Sequence, residues 1–200
     1  MSGKSTTIGL HHLPNALTLL RMGLVPVVAG VMMIGGPAAL VIAAVLFAVA
    51  SATDWLDGYA ARRLNAVSDL GRMLDPIADK LLVVTVLVML VALDRIAGVT
   101  VVAALVIMLR EFLIGGVREF LAGIGSSGLK VTPIAKLKTA VQMVALVLLM
   151  LAGVVLPGLP LLLIGEVALW LSAALAAISG VDYLNKAAGQ LRARAAARSV

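Results

Sequence analysis

The chain is 200 residues long, 62% of them hydrophobic and 13% charged, with a mean hydropathy of +1.13; this apolar share exceeds that of a soluble domain and puts the chain in a bilayer. Cysteine is absent, which excludes disulfides, thiolate nucleophiles and sulfur-ligated metals and leaves oxygen and nitrogen donors. A formal charge of +6 and a pI near 10.2 are read as juxtamembrane Lys and Arg facing anionic lipid headgroups, with no nucleic-acid partner.

A crossing needs about 20 apolar residues. On that length the chain predicts an all-α integral membrane protein of six transmembrane helices, one domain over residues 1–200. Residues 1–14 form a polar segment ahead of the first apolar run, a poor match to a cleaved signal peptide. It holds His11 and His12, whose adjacent positions point apart on a helix and argue against a metal pair. The first crossing spans 15–34 and stops at Gly35, Gly36 and Pro37. The second begins near 38. Its apolar part ends near 52, yet nothing breaks the helix until about 65, so residues 54–63 are expected on a projecting end. The third runs from 71 or 72 to 93, and 94–98 turns the chain into a fourth over 99–123, interrupted by Arg110, Glu111, Arg118 and Glu119. After a polar loop the fifth spans 134–156. Pro157, Gly158 and Pro160 make the next turn, the sixth spans 161–183, and a basic tail follows over 185–200 with Arg192, Arg194 and Arg198.

With six alternating helices, Lys4, Arg62, Arg63, Arg72, Arg118, Lys130, Lys136, Lys138 and the C-terminal arginines share one side, and Arg95 stands on the other. Retention of Lys and Arg in the cytoplasm then makes both termini cytoplasmic.

Asp54, Asp57, Asp75 and Asp79 fall on that same side, at the ends of two successive helices. Spacings of three and four put each pair within about 60° and about 40° on its helix. Four carboxylates at membrane depth repel one another by several kcal/mol unless neutralised, and a hard divalent cation does this. Carboxylate oxygens suit Mg²⁺, Mn²⁺ or Ca²⁺, and two ions sharing carboxylates match the count, as in displacement at phosphorus. Gly58 and Ala61 keep the same face small, Arg62 offers a planar donor for phosphate oxygens, and Gly71 leaves space where the third helix starts. Small residues at such spacings also serve plain helix packing. An ion or proton path is a rival use of intramembrane acids, and it requires neither the small residues nor Arg62.

Residues 54–79 read DWLDGYAARRLNAVSDLGRMLDPIAD, matching DxxDGxxAR, eight residues, then GxxxDxxxD without a departure. This resembles the signature of CDP-alcohol phosphotransferases. The resemblance implies six transmembrane helices, a homodimer and a cytoplasm-facing cavity holding metal. Asp54, Asp57 and Asp75 would be ligands, with Asp79 a ligand and the base for the incoming alcohol. Asp54, Gly58, Ala61, Arg62 and Gly71 would line the CDP site. An alcohol oxygen then attacks the lipid-bearing phosphorus and CMP leaves.

The acceptor is read from cations in the later helices. Arg110 and Arg118 lie about 80° apart on the fourth helix, and Lys136 and Lys138 open the fifth. One reading is a bound phosphate; the other is pairing with Glu111 and Glu119 plus interfacial snorkelling. LPNALTLLRMGLVPV, LREFLIGGVREFLAG and AKLKTAVQMVA look like phosphatidylglycerophosphate synthases. That likeness implies CDP-diacylglycerol as donor, glycerol 3-phosphate as acceptor, and Arg110, Arg118 and Lys136 around its phosphate. Asn15, Thr18 and Arg21 fall on the family's N-terminal PNxxTxxR pattern and line the same cavity or simply start a helix. A relative using inositol phosphate or serine is the neighbouring alternative.

Overall fold

The computed structural model describes residues 13–64, 69–125, 133–156 and 158–198; for 13–18, 54–64, 69–76, 79 and 198 it describes the helical backbone alone. The described residues form six helices and no strand: α1 (Leu13–Ile34), α2 (Gly36–Leu64), α3 (Asp69–Ala92), α4 (Thr100–Gly123), α5 (Pro133–Leu151) and α6 (Leu161–Arg198). They group into two compact units, Met1–Ala92 and Leu93–Val200.

In the first unit α1 packs against both α2 and α3. The buried positions of α2 are Ala39, Leu40, Ala43, Ala44, Phe47 and Ala50, a stripe at helical spacing whose small residues let a neighbour approach. Those of α3 are Ala78, Leu82, Val83, Val86, Leu87 and Leu90. The α1–α2 reversal needs Gly35 and Gly36 at φ +71° and +80°, a region closed to most side chains, and Pro37 then fits the first turn of α2.

In the second unit α6 is the common partner of α4 and α5. Its buried face carries Leu161, Leu169, Ser172, Ala173, Ala176 and Ser179, while Leu163, Val167, Leu171, Ile178 and Val181 stay exposed. An exposed apolar face of this extent suits lipid, not water. Four helices are long and apolar enough to cross a membrane among the described residues, over 36–53, 100–123, 133–151 and 161–197; α1 and α3 contribute the shorter apolar stretches Leu19–Ile34 and Lys80–Ala92. The protein is therefore an all-helical, multi-pass membrane protein.

Several boundaries differ from the sequence expectation, with α1 and α2 each starting two residues early. α3 starts at Asp69. α5 ends at Leu151 instead of 156, because Gly153 turns left-handed at φ +69° and Arg95 captures the end of the helix. Its Nη1 donates to the carbonyls of Leu149, Met150 and Ala152 at 3.1, 3.4 and 2.5 Å. Burial lowers the Arg95 pKa, and these three acceptors offset that desolvation. Finally, the basic tail continues α6 to Arg198, 38 residues in all. At ~1.5 Å per residue that exceeds a ~30 Å hydrocarbon core, so the end of α6 extends beyond one bilayer thickness.

Candidate active site

The residues singled out in the sequence fall on helices of both units. In the first, α2 remains helical to Leu64 and α3 starts at Asp69. Asp54 lies ten residues before the end of α2 and Asp79 ten residues after the start of α3; Asp57 and Asp75 lie seven and six residues from the same ends. Counted along each helix, Asp54 and Asp79 therefore lie about 15 Å from those ends, and Asp57 and Asp75 about 10 Å. Asp54, Asp57, Gly58 and Ala61 follow i, i+3, i+4, i+7 on α2, and Gly71, Asp75 and Asp79 follow i, i+4, i+8 on α3, each one stripe of its helix. The side chains of these residues, of Arg62, and of Asn15 and Thr18 lie outside the described residues. Arg21, on α1, is 5% exposed.

The four acidic residues of the motif are all aspartates, and carboxylate oxygens suit a hard divalent cation. No group of three or more His, Cys, Asp or Glu side chains forms a rival metal site among the described residues.

In the second unit the cations of α4 and α5 separate into two kinds. Lys138 is 3% exposed and donates to Glu111 Oε1 across the helices. Arg110 Nη1 reaches the same oxygen at 3.4 Å, and its Nη2 donates to Ser179 Oγ on α6 at 3.5 Å. Ser179 in turn donates to the Ala176 carbonyl at 3.2 Å. Room for the Arg110 stem comes from Gly180, where an added Cβ would lie 3.3 Å from Arg110 Cγ. Arg110 Nε is buried with no hydrogen-bond partner. Arg118 and Lys136 are exposed and make no ion pair among the described residues.

Pairing with Glu111, one of the two sequence readings, is thus seen for Arg110 and Lys138. Arg118 and Lys136 are exposed, as either a phosphate site or interfacial snorkelling requires. Sequence reasoning named Glu111 as a neutralising partner and missed Ser179 and Gly180. No local signal on α6 marks either residue, since both matter through contact with α4.

Comparison with known proteins adds an independent line. Residues 11–178 match the family described as CDP-alcohol phosphatidyltransferase. The chain is similar to the "CDP-diacylglycerol--glycerol-3-phosphate 3-phosphatidyltransferase" of Rickettsia bellii, 44% identical over 88% of this chain and 94% of that protein. It is similar to the proteins of that name from Bacillus subtilis, at 37% identity over 88% of this chain and 95% of the relative, and Salmonella choleraesuis, at 36% over 90% and 97%.

Proposed function

Because the chain belongs to the CDP-alcohol phosphatidyltransferase family, we propose that it transfers the phosphatidyl group of CDP-diacylglycerol to sn-glycerol 3-phosphate, giving phosphatidylglycerophosphate and CMP. The protein is a phosphatidyltransferase of phospholipid synthesis. The observation that supports the reading most directly is the complete aspartate motif, whose halves fall on the last turns of α2 and the first turns of α3. The names of relatives that align over most of this chain support the acceptor.

Asp54, Asp57, Asp75 and Asp79 would hold divalent metal, Mg²⁺ or Mn²⁺ and two ions by the carboxylate count, which brings positive charge to the pyrophosphate and the departing CMP. Asp54, Gly58, Ala61, Arg62 and Gly71 line the CDP site. Arg110, Arg118 and Lys136 take the acceptor phosphate, an assignment supported by the exposed guanidinium of Arg118 and ammonium of Lys136. Asn15, Thr18, Arg21 and Lys138 are further candidates for contact with the substrates. Asp79 accepts the proton of the attacking hydroxyl, whose oxygen bonds to the lipid-bearing phosphorus as the bond to the CMP oxygen breaks. The six helices all cross the membrane as one domain, both termini and the cavity face the cytoplasm, and the protein works as a homodimer among membrane lipids.

The test is CMP release from CDP-diacylglycerol by purified protein with Mg²⁺ or Mn²⁺ and each candidate alcohol. Release with glycerol 3-phosphate is expected. No CMP with any acceptor sinks the enzyme reading, and CMP only with inositol phosphate or serine overturns the acceptor.

A further inference from the structure

α4 and α5 both pack on α6, yet no Cα atoms of α4 and α5 come within 8 Å of each other among the described residues. A pair of long side chains spans that separation: the buried Lys138 ammonium of α5 donates to Glu111 Oε1 of α4. The same oxygen accepts from Arg110 Nη1, and Arg110 Nη2 reaches Ser179 of α6, so one polar chain links three helices. Glu111 is 17% exposed and Lys138 3%. In such a setting breaking the pair costs more than the pair contributes, because a buried charge is left uncompensated.

The cations assigned above to the acceptor phosphate are mounted on these same two helices. Arg110 and Arg118 are on α4, and Lys136 lies two residues from Lys138 on α5. We propose that Glu111 is a positioning residue for the acceptor site: by tying Lys138 to Arg110 it sets the separation between the phosphate-binding cations of α4 and that of α5. This rests on the glycerol 3-phosphate reading. Glu111 touches neither reacting atom. Its effect is felt in acceptor affinity, since a phosphate held by cations from two helices binds well only at one helix separation.

The experiment is steady-state kinetics of the whole purified protein as wild type, Glu111→Gln, Lys138→Met and the double variant, with each substrate varied in turn. Each single variant is expected to raise the glycerol 3-phosphate KM about tenfold while the CDP-diacylglycerol KM moves less than about twofold, and the double variant shows the same single tenfold rise because both changes cut one tie. An acceptor KM unchanged in Glu111→Gln, an equal rise in both KM values, or a double variant equal to the product of the singles overturns the proposal. Glu111→Asp keeps the charge on a side chain one methylene shorter, which guards against a variant that does not fold; a normal acceptor KM there also overturns it. Wild-type CMP release that ignores glycerol 3-phosphate removes the acceptor reading itself, and is seen before any variant is compared.

Discussion

Gly165 of α6 lies against Leu149 of α5 so closely that a Cβ added to it would stand 2.9 Å from the Leu149 side chain and 3.3 Å from its backbone nitrogen. Leu149 is fully buried, so it has little room to yield. Gly165→Ala is expected to destabilise the protein by about 1–3 kcal/mol through overpacking. Gly189, on the same helix with nothing within 4 Å of an added Cβ, is the control, and Gly189→Ala is expected to be neutral or stabilising by up to about 1 kcal/mol. Thermal midpoints in detergent measure both.

Arg95 supplies donors to the last carbonyls of α5. Arg95→Gln removes the charge and the fork, and the expected loss is about 1–3 kcal/mol of stability. Arg95→Lys should recover only part of it, since an ammonium cannot match the planar donor set. Turnover of the folded fraction should hold within about twofold, because Arg118 lies a further ~27 Å along α4 from Thr100 at ~1.5 Å per residue. Thermal unfolding beside CMP release separates the two effects.

Gly180 makes room for the Arg110 stem. Gly180→Ala pushes on Arg110 Cγ and should raise the glycerol 3-phosphate KM by roughly three- to tenfold, with the CDP-diacylglycerol KM unchanged. Paired substrate titrations measure it. Equal changes in both would mean that Arg110 serves the fold alone.

Asp79→Asn is expected to lower kcat by about 10²–10⁴ at saturating Mg²⁺ or Mn²⁺, the range for loss of a positioned base. Near-normal turnover would remove Asp79 from that role. Chelation of divalent metal should abolish CMP release in the wild type, and added Mg²⁺ or Mn²⁺ should restore it.

Family, donor chemistry and membrane class were legible in the sequence because each depends on short-range spacing. Eight motif positions within residues 54–79 keep their register whatever the helices pack against, and hydropathy over about 20 residues is a local sum. The Gly35, Gly36 and Pro37 stop was equally local, and both glycines take the positive φ that such a reversal requires. The end of α5 was not legible. Hydropathy continues to Leu156, and what stops the helix includes Arg95, 54 residues away from Leu149 in the chain.

By itself the sequence determined a helical membrane protein with four aspartates on two helix ends and cations on two later helices, since residue type and helical period suffice for that. Only the tertiary structure decided which partners those cations take among the described residues. It joined Lys138 and Arg110 to Glu111, left Arg118 and Lys136 exposed, and brought Ser179 and Gly180 to Arg110 from 69 and 70 residues away. The physical reason is that partner choice depends on how helices rotate and pack around α6, which no local pattern in the chain encodes.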